Sequence, residues 1–573
     1  MREIDTPSRI NYHASRKEKS MGVKTVTDDK KLNGQVRQLP FINPATGEQF
    51  GSVPMATREQ VMNARREMAA AQRIWAAKPL QERIRILRQF QAVVIDALDE
   101  ITAVINQDTG KSRQDALIEV MMSVDKLHQY YKYAPKWLKR RRVPPGLYFF
   151  KKYYVEPYPY GVVTVIGPWN YPFDLTIPPV CSALLAGNTV LLKPSEVTAA
   201  TGVLLESLIQ RVPELTPYVR VLHGDGAVGA AIVESQPDLI FLTGSTATGY
   251  KVAEAAAKTL TPTIFELGGK DPMIVLEDAD IQAAARWGTW GAFYNMGQTC
   301  MSVERAYVVQ SVYDEFVQMA VAQTKQIKVG YSPEIDNSFN LGSLTFARQM
   351  EIIEDHLDDA LAKGARILVG GQRDGLFMAP TVIVDVDHTM KLMREETFGP
   401  ILPIMKVDDE MHAVQLANHS DFGLSASVWS QDVKRAERVA QQLDVGSVMI
   451  NDTIAHYPVS LLPFGGVKKS GNARTHGEPE VMQFTQSRSY AVGQPPASYD
   501  VATIMRTPGH YRLGAAIMRS MFGENMQQRT QPVRDVFADP QMKETAVRVA
   551  LSATVSALVG GLLFFWIKSK IKS

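Results

Sequence analysis

The sequence predicts an α/β protein with buried parallel β-sheets and one apolar C-terminal helix. From Gly161 to about Phe464, short runs rich in Val, Ile and Leu alternate with segments of helical periodicity. This alternation is typical of β-α-β units on a parallel sheet. A separate feature is the segment from Val549 to Ile567, which contains no charged residue.

Length and composition narrow the class of protein. The chain has 573 residues, enough for two or three domains of about 100–200 residues each. Charged residues make up 21% and apolar residues 45%, which excludes wholesale disorder. The net charge of +2 gives no general affinity for nucleic acid, so no such partner is expected. Two cysteines exclude a disulfide framework, and we expect no metal.

The N-terminal segment 1–35 is polar, with basic and acidic residues interleaved and no apolar run. A secretory signal would need an apolar core segment. We therefore expect a disordered leader, with a weak targeting role as the alternative. From about Ile42 to Lys126, apolar residues recur at three- and four-residue spacing, which predicts helices.

Short apolar runs mark the candidate strands, in two sets separated near residue 260. Past Val492 the sequence turns irregular and predicts a linker to the apolar tail. The candidate strands are Gly161–Ile166, Thr189–Leu192, Val219–Leu222, Leu239–Leu242, Met273–Leu276, Ala306–Val309, Thr381–Val384, Ile401–Met405 and Ser447–Ile450.

A basic and aromatic stretch lies between Lys126 and Val155 and contains no acidic residue. One interpretation is a surface that contacts an anionic partner, such as lipid headgroups. The alternative is a solvated face beside an aromatic core. The sequence leaves both open.

Cys300 is the candidate nucleophile, since it follows Gly297 and small polar residues rather than lying in an apolar helix. A reactive thiol needs such an accessible position, whereas a free cysteine in apolar surroundings is a packing residue. Cys181 lies in the apolar run Pro178–Leu185 and is expected to be such a packing residue.

A thiolate nucleophile needs a donor for the oxyanion that it creates and a base that moves protons. Asn170 follows a buried strand, where its amide could serve as that donor, or could simply form a turn. Glu266 is flanked by Phe and Leu, a setting that raises a carboxyl pKa toward that of a base. A salt-bridged structural glutamate is the alternative.

Two segments resemble parts of a dinucleotide site. Gly244-Ser245-Thr246-Ala247-Thr248-Gly249 follows a strand and opens a helix, so that backbone N–H groups could face a pyrophosphate. The segment is not the Gly-x-Gly-x-x-Gly fingerprint. Lys193-Pro194-Ser195-Glu196 ends another strand, where Lys193 and Glu196 could bind ribose hydroxyls.

Taken together, these motifs resemble the aldehyde dehydrogenase superfamily over about residues 40–490. The matching segments follow the family's order. They are Pro168-Trp169-Asn170, Lys193 to Glu196, Gly244 to Gly249, Phe265-Glu266-Leu267-Gly268-Gly269-Lys270, Gly297-Gln298-Thr299-Cys300, Glu395-Glu396-Thr397-Phe398-Gly399-Pro400 and Pro463 to Gly471.

The resemblance implies an aldehyde dehydrogenase-like α/β fold with a modified Rossmann cofactor domain, an α/β catalytic domain and a small β element that pairs subunits as a homodimer or homotetramer. The basic and aromatic stretch would then belong to that bridging element. The implied ranges are 36–138 and 157–267 for the NAD-binding domain, 268–479 for the catalytic domain, 139–156 and 480–494 for the oligomerisation element, and 495–547 for the linker.

The resemblance also implies catalytic roles. Cys300 would attack the aldehyde carbon, and Asn170 with the Cys300 backbone N–H would hold the oxyanion. Hydride would pass to the nicotinamide and leave a thioester, which water activated by Glu266 would hydrolyse. Family members that transfer the acyl group to coenzyme A generally lack this glutamate, so a carboxylic acid product is expected. A non-catalytic scaffold of the same fold is a remote alternative, because all three residues are present.

The remaining matched residues would bind the cofactor. Lys193 and Glu196 would hold the adenosine ribose, Ser245 the pyrophosphate and Glu396 the nicotinamide ribose, with Phe398 beside the ring. A carboxylate at position 196 would repel a 2′-phosphate, so NAD is expected and NADP is the alternative. The whole predicted set is Trp169, Lys193, Ser195, Glu196, Gly244, Ser245, Gly249, Leu267, Glu396 and Phe398.

The apolar tail predicts one transmembrane helix over 548–568. As a helix, Val549 to Ile567 spans about 28 Å, near the roughly 30 Å hydrocarbon core of a bilayer. A buried helix of a soluble domain is the alternative. We expect a C-terminal anchor in the lipid bilayer, with the catalytic body in the cytosol, where NAD is found.

An anchored enzyme suggests a lipophilic substrate. We expect a medium- or long-chain aldehyde that enters a tunnel lined by some of Tyr171, Tyr294, Met296 and Met301. The rival hypothesis is a small polar aldehyde, such as a semialdehyde, with the tail serving only for localisation. A semialdehyde would favour a basic residue in the tunnel, and the sequence does not identify one.

Overall fold

The computed structural model describes residues 37–145, 151–335, 339–493, 510–540 and 543. The leader expected over 1–35 lies outside these residues. The chain divides into two compact units: the first is 1–138 with 158–486, and the second is 139–157 with 487–573. The cofactor-binding and catalytic motifs of the sequence all fall within the first unit.

The strands are β1 (Gln38–Ile42), β2 (Gln49–Pro54), β3 (Arg141–Val143), β4 (Lys152–Pro159), β5 (Val162–Ile166), β6 (Thr189–Lys193), β7 (Val219–Val221), β8 (Leu239–Thr243), β9 (Thr263–Glu266), β10 (Asp271–Val275), β11 (Val303–Val309), β12 (Arg366–Val369), β13 (Arg373–Asp374), β14 (Phe377–Met378), β15 (Thr381–Val384), β16 (Ile401–Val407), β17 (Phe422–Gly423), β18 (Ser425–Trp429), β19 (Ser447–Ile450), β20 (Val467–Lys468) and β21 (Thr485–Val492).

The α-helices are α1 (Arg58–Ala77), α2 (Leu80–Asp96), α3 (Leu98–Thr109), α4 (Arg113–Trp137), α5 (Ile177–Leu185), α6 (Ala199–Gln210), α7 (Gly226–Glu234), α8 (Thr246–Ala257), α9 (Ile281–Phe293), α10 (Tyr313–Thr324), α11 (Ala347–Ala362), α12 (Lys391–Arg394), α13 (Glu410–Asn418), α14 (Val433–Ala440), α15 (Gly477–Gln483), α16 (His510–Phe522) and α17 (Met526–Ala538).

A five-stranded parallel sheet organises the first half of unit one, in the order β7-β6-β5-β8-β9. Its strands are runs of Val, Ile, Leu and Phe, and the central strands are buried on both faces, as expected for a sheet covered by crossover helices. Because all strands run the same way, the segments that follow Ile166, Lys193, Thr243 and Glu266 leave from one edge of the sheet.

A seven-stranded sheet forms the second half of the unit, in the order β12-β15-β16-β11-β10-β18-β19. Its edge strand β12 is antiparallel to β15, and the other pairs are parallel. The segments that lead into β10, β11 and β16 enter this sheet at its amino-terminal edge. They carry Lys270, Cys300 and Glu396.

A three-stranded sheet is formed by β21, β4 and β3, and most of its residues belong to the second unit. The guanidinium carbon of Arg140 lies 4.1 Å from the ring centre of Tyr154 and 4.4 Å from that of Tyr490. The basic and aromatic stretch therefore divides in two. Its helical part buries Lys126 and Tyr130 in α4, and its strand β3 is exposed.

The expected localisation in a membrane is wrong for the part of the chain that the structure describes. No helix within the described ranges is long and apolar enough to cross a membrane. A bilayer needs about 20 consecutive apolar residues, whereas the longest described helix, α4, carries charged residues along its length. The segment 548–568 itself lies outside the described residues.

Candidate active site

The two large sheets meet at the segment that joins β9 to β10. Gly269 lies within it and donates its backbone N–H to Glu396 Oε1 at 3.0 Å. A Cβ added to Gly269 would lie 2.4 Å from the Cys300 carbonyl oxygen, so only glycine allows this close approach. The carboxyl edge of one sheet and the amino edge of the other therefore bring Glu266, Cys300 and Glu396 into one region.

Cys300 follows a short 3-10 turn in which Asn295 and Met296 adopt left-handed backbone angles. Such angles are uncommon outside glycine and store strain at this turn. The side chain is partly exposed. Burial raises the pKa of the thiol well above its ordinary value, and the carboxylates of Glu266, Asp271 and Glu396 add to this shift.

Glu266 ends β9 and is buried, with Oε1 lacking a hydrogen-bond partner. Burial raises the pKa of its carboxyl group well above the ordinary value, while Arg474 and Lys126 partly oppose the shift. A carboxyl group of this kind is tuned toward the proton affinity of a general base. Its backbone carbonyl accepts the Gly244 N–H at 3.0 Å, which ties it to the end of β8.

Asn170 lies in the turn that follows β5, and its Nδ2 donates to the Gln298 carbonyl oxygen at 3.0 Å. An amide has two N–H donors, so this bond leaves one for a substrate oxygen. The Asn170 carbonyl accepts from Lys111 Nζ at 2.8 Å. Lys111 also pairs with Glu119, which accepts the Phe173 N–H at 2.8 Å. This buried pair holds the turn in place.

Glu396 and Phe398 lie in the segment before β16. Glu304 fixes that segment, because its carboxylate accepts the Phe398 N–H at 2.8 Å and pairs with Lys270 Nζ at 2.5 Å. The Phe398 ring packs edge-on against Trp169, with ring centres 5.4 Å apart. Burial and the neighbouring Glu304 raise the pKa of Glu396 to about 8.

The other predicted cofactor residues lie along the carboxyl edge of the five-stranded sheet. Lys193 Nζ contacts Glu196 Oε2 at 3.0 Å, and Ser195 Oγ accepts the Val197 N–H at 3.2 Å. Ser245, which follows Gly244, caps the N-terminus of α8 by accepting the Thr248 N–H. Gly249 and Leu267 pack together behind this loop.

This edge fits a dinucleotide. Backbone N–H groups at the start of α8 can face a pyrophosphate, as at other helix N-termini. A Cβ added to Gly229 of α7 would lie 3.5 Å from Lys193 Cε, so this helix lies directly beside that lysine. Lys193, Glu196 and Ser245 offer the hydrogen-bonding groups that a ribose and a phosphate need.

A cluster of apolar side chains packs around Cys300, the candidate nucleophile. Its members are Met122, Leu175, Cys300, Met301, Leu424, Ile454, Tyr457 and Phe464. Of the four side chains from which a tunnel lining was expected, Met301 lies in this cluster, whereas Met296 packs in the core of the seven-stranded sheet. Met296 is buried there after a left-handed turn, so it is not among those that can line a tunnel.

Aromatic rings lead from the protein surface toward this apolar cluster. Trp290 is 40% exposed and its ring centre lies 5.2 Å from that of Tyr294. Tyr294 stacks on Tyr171 with ring centres 6.5 Å apart. The Tyr171 hydroxyl lies 2.9 Å from Thr299 Oγ1, one residue before Cys300. We call these three rings the aromatic ladder.

Sequence reasoning missed a buried polar network beside the apolar cluster. Lys126 Nζ pairs with Asp174 Oδ2 at 2.7 Å, and the Tyr457 hydroxyl donates to the same oxygen at 3.0 Å. A signal was present, since Glu119, Ser123 and Lys126 recur at helical spacing on the buried face of α4. Their partners are distant in sequence, so pattern alone could not find them.

The arrangement combines an accessible thiol, a buried carboxyl group, an amide donor and a dinucleotide edge. These are the parts that acyl chemistry on a cysteine with hydride removal needs. A family model described as "Aldehyde dehydrogenase family" matches residues 32–490. The chain therefore belongs to the aldehyde dehydrogenase family, and it is an NAD(P)-dependent enzyme that oxidises the aldehyde group.

Individual proteins agree with this assignment. The chain is 42% identical over 450 residues to a 4,4'-diapolycopene aldehyde oxidase of Methylomonas sp, covering 78% of this chain and 84% of that protein. It is 37% identical over 461 residues to a provisionally named NADP(+) succinate-semialdehyde dehydrogenase of Mycolicibacterium smegmatis, covering 79% and 89%. It is similar, with a TM-score of 0.76, to NADP-dependent glyceraldehyde-3-phosphate dehydrogenase of Bacillus halodurans complexed with NADP, at 33% identity and covering 80% and 96%.

Proposed function

We propose that this aldehyde dehydrogenase oxidises lipophilic aldehydes, of medium or long chain length, to carboxylic acids by way of a thioester on Cys300. The observation that carries the substrate class is the set of apolar side chains that contacts Cys300, together with the aromatic ladder that ends one residue before it. Apolar surface favours a hydrocarbon substrate, because its burial gains about 25 cal/mol per Å².

The proposed mechanism assigns one task to each residue. The Cys300 thiol loses its proton to water, the thiolate so formed attacks the aldehyde carbon, and the Asn170 amide with the Cys300 N–H binds the oxyanion. When bound, NAD(P) supplies the acceptor for the hydride that leaves this carbon. Glu266 then takes a proton from water, which attacks the thioester, and the Cys300 sulfur leaves as the carboxylic acid forms.

The cofactor would lie along the carboxyl edge of the five-stranded sheet. Lys193 and Glu196 would hold the adenosine ribose and Ser245 the pyrophosphate. Glu396 would hold the nicotinamide ribose, with Phe398 beside the ring. We propose NAD as the preferred cofactor, because the Glu196 carboxylate repels a 2′-phosphate. Its contact with Lys193 weakens that repulsion and leaves NADP as a poorer alternative.

The buried cations near Cys300 support an apolar substrate. Lys111 and Lys126 are each 2% exposed and each pairs with a carboxylate. A semialdehyde would bring its own carboxylate into this region, where it would have to compete with Glu119 or Asp174 for these lysines. Burying an unpaired carboxylate is strongly unfavourable.

Oxidation of a small polar aldehyde or semialdehyde is the second candidate. Its support is the similarity to the Mycolicibacterium smegmatis protein, whose name specifies succinate semialdehyde. The Methylomonas relative, named for diapolycopene aldehyde, is more similar to this chain. That relative supports the first candidate.

Subunit pairing is proposed through the sheet of β3, β4 and β21. Strand β3 is exposed and forms an edge of that sheet. Unpaired strand edges are surfaces that another chain can extend. We propose a homodimer or homotetramer, which analytical ultracentrifugation of the full chain would test; a monomer at micromolar concentration would contradict it.

The substrate class is tested by comparing NAD reduction with hexadecanal and with succinate semialdehyde. We expect kcat/KM for hexadecanal to be higher by about tenfold or more, equivalent to about 1.4 kcal/mol. Cys300→Ala is the control and should remove both activities. A clear preference for succinate semialdehyde would overturn the lipophilic assignment and favour the second candidate.

A further inference from the structure

The segment that carries Glu396 and Phe398 lies between α12 and β16 and contains a strained residue. Phe398 has φ of 50°, in the left-handed region that residues other than glycine seldom adopt. Such a conformation persists only when the surrounding structure holds it. The contacts of Thr397, the buried residue between the two, therefore determine where the side chains on either side of it lie.

The Thr397 backbone is fixed by two side chains and its hydroxyl group by two more. Its N–H donates to Glu304 Oε2 at 3.1 Å, and its carbonyl oxygen accepts from Gln349 Nε2 at 2.7 Å. Its Oγ1 lies 3.2 Å from Lys270 Nζ and 3.2 Å from His356 Nδ1. His356 belongs to α11 and is 3% exposed. The hydroxyl group is thus buried between two nitrogen atoms.

The hydrogen bond between Thr397 and His356 has one consistent direction. A lysine ammonium group can only donate, so Thr397 Oγ1 accepts from Lys270 and has its own hydrogen to give. His356 Nδ1 is the partner within reach, which makes it an acceptor and places the ring hydrogen on Nε2. Burial and the charge of Lys270 lower the pKa of His356, and nearby carboxylates partly oppose this shift. The imidazole is therefore neutral at neutral pH, the form in which Nδ1 can accept.

We propose that His356 is a positioning residue for the nicotinamide half of the cofactor: by accepting the Thr397 hydroxyl, it holds Glu396 and Phe398 in place. The inference rests on the cofactor position proposed above, in which Glu396 holds the nicotinamide ribose and Phe398 lies beside the ring. His356 acts through Thr397 and is assigned no contact with the cofactor.

The surroundings of Glu396 show why a displacement of Thr397 would matter. Glu396 Oε1 accepts the Gly269 N–H at 3.0 Å, and a Cβ added to Gly268 would lie 2.2 Å from Glu396 Oε2. The carboxylate therefore lies directly on this glycine pair, which belongs to the connection between the two large sheets. A shift of Thr397 would move its neighbour Glu396 out of this contact. The adenosine half of the cofactor is proposed to bind at the edge of the five-stranded sheet and should not be affected.

The experiment compares a ligand that reaches the nicotinamide site with one that does not. Binding of NADH to the full-length protein is measured by fluorescence, and binding of ADP, which has no nicotinamide ribose, by calorimetry. His356→Leu removes the acceptor. His356→Asn is the conservative variant, because its Oδ1 can stand near the position of Nδ1 and accept the same hydrogen. Leu357→Ala is the matched control on α11, since Leu357 packs in the core of the seven-stranded sheet.

His356→Leu should raise the Kd for NADH by about tenfold, equivalent to about 1.4 kcal/mol for one buried hydrogen bond. Its Kd for ADP should stay within about twofold of that of the unsubstituted protein. His356→Asn should bind NADH within about threefold of the unsubstituted protein. Leu357→Ala should lower the Tm and change neither Kd by more than about twofold.

Thr397→Val removes the same hydrogen bond from its other side. It should weaken NADH binding to the same extent, and combining it with His356→Leu should add no further loss, because two residues that act through one bond are not additive. Thermal unfolding checks that each variant is folded. If His356→Leu does not fold, Thr397→Val and His356→Asn carry the test.

A Kd for NADH within about twofold of that of the unsubstituted protein in folded His356→Leu or Thr397→Val would overturn the proposal. So would equal losses of NADH and ADP binding, which would indicate a general change of the site, and so would additive losses in the double variant. Binding of NADH by His356→Asn as weak as by His356→Leu would also overturn it, because the accepting atom would then not matter.

Glu396→Gln separates this inference from the proposed cofactor site. If this variant binds NADH as tightly as the unsubstituted protein, the proposed place of the nicotinamide ribose fails, and the inference fails with it. If Glu396→Gln loses affinity for NADH while His356→Leu does not, only the role of His356 fails.

Discussion

The ammonium group of Lys111 donates to the Asn170 carbonyl oxygen at 2.8 Å and pairs with Glu119 Oε2, also at 2.8 Å. This buried cation connects α4 to the turn that carries the proposed oxyanion donor. It therefore links the stability of the fold to the position of the Asn170 amide.

Lys111→Met should destabilise the protein by about 3–5 kcal/mol, because it leaves Glu119 buried without its partner. Lys111→Met combined with Glu119→Gln should recover much of that stability, since no unpaired charge remains. The double variant should still have reduced kcat, because the Asn170 carbonyl has lost a donor. Denaturant unfolding and steady-state kinetics measure the two effects; full activity of the double variant would contradict the positioning role.

Glu266→Gln should make Cys300 more reactive at a pH below the ordinary pKa of a cysteine thiol. The Glu266 carboxylate raises the pKa of the Cys300 thiol, so its removal lowers that pKa and shifts thiolate formation to lower pH. At about pH 7 the rate of alkylation by iodoacetamide should rise by about threefold or more. An unchanged rate-against-pH curve would show that the two groups are not electrostatically coupled.

Tyr294→Ala should weaken use of long aldehydes selectively. Removing a ring from the aromatic ladder should lower kcat/KM for hexadecanal by about tenfold, from lost ring contacts and lost apolar burial. Acetaldehyde, which does not reach the ladder when bound at Cys300, should change by less than about twofold. Tyr294→Phe is the control, because the Tyr294 hydroxyl has no partner to lose. Equal losses for both aldehydes would contradict a tunnel role.

Glu196→Gln should shift cofactor preference toward NADP. It removes the negative charge expected to face a 2′-phosphate and frees Lys193, which contacts Glu196 at 3.0 Å. The ratio of kcat/KM for NADP to that for NAD should rise by about tenfold, equivalent to about 1.4 kcal/mol of removed repulsion. An unchanged ratio would place the adenosine ribose elsewhere.

Ionisation of the Asp108 carboxyl group should lower the free energy of unfolding as pH rises from the acid range. Burial raises the pKa of its carboxyl group from 3.8 to about 7, so between these values the folded state holds a proton that the unfolded state has lost. Stability is then lost as pH rises through about 4 to 7, by at most about 4 kcal/mol. Urea unfolding of Asp108→Asn should show a weaker fall over this range, and an equally steep fall would exclude Asp108 as the source.

The sequence could predict the parallel sheets and the motifs that lie at their edges. The run Thr189–Leu192 predicts a strand that the structure places at Thr189–Lys193, because buried parallel strands are short apolar runs with clear ends. Cys181 is a core residue, as its apolar neighbours indicate. The order of the parallel strands then brings motifs far apart in sequence to one edge.

Other features depend on contacts that no local pattern encodes. Asp174 interrupts an apolar segment of the sequence, and only the structure shows that its charge is paired with Lys126. His356 looks like an ordinary polar residue of α11, since its contact with Thr397 arises only from packing. The direction of Met296 is set by the left-handed turn, which residue propensities do not predict.

The short connection 267–270 joins a sheet that ends at Glu266 to a sheet whose entry carries Cys300. The proposed base and the proposed nucleophile thus belong to different sheets of the first unit, and neither sheet alone contains both. Slight loosening between the layers would separate the two groups while leaving each sheet intact. Mild denaturant should therefore abolish turnover before it removes secondary structure. Loss of activity would then report separation of the two sheets.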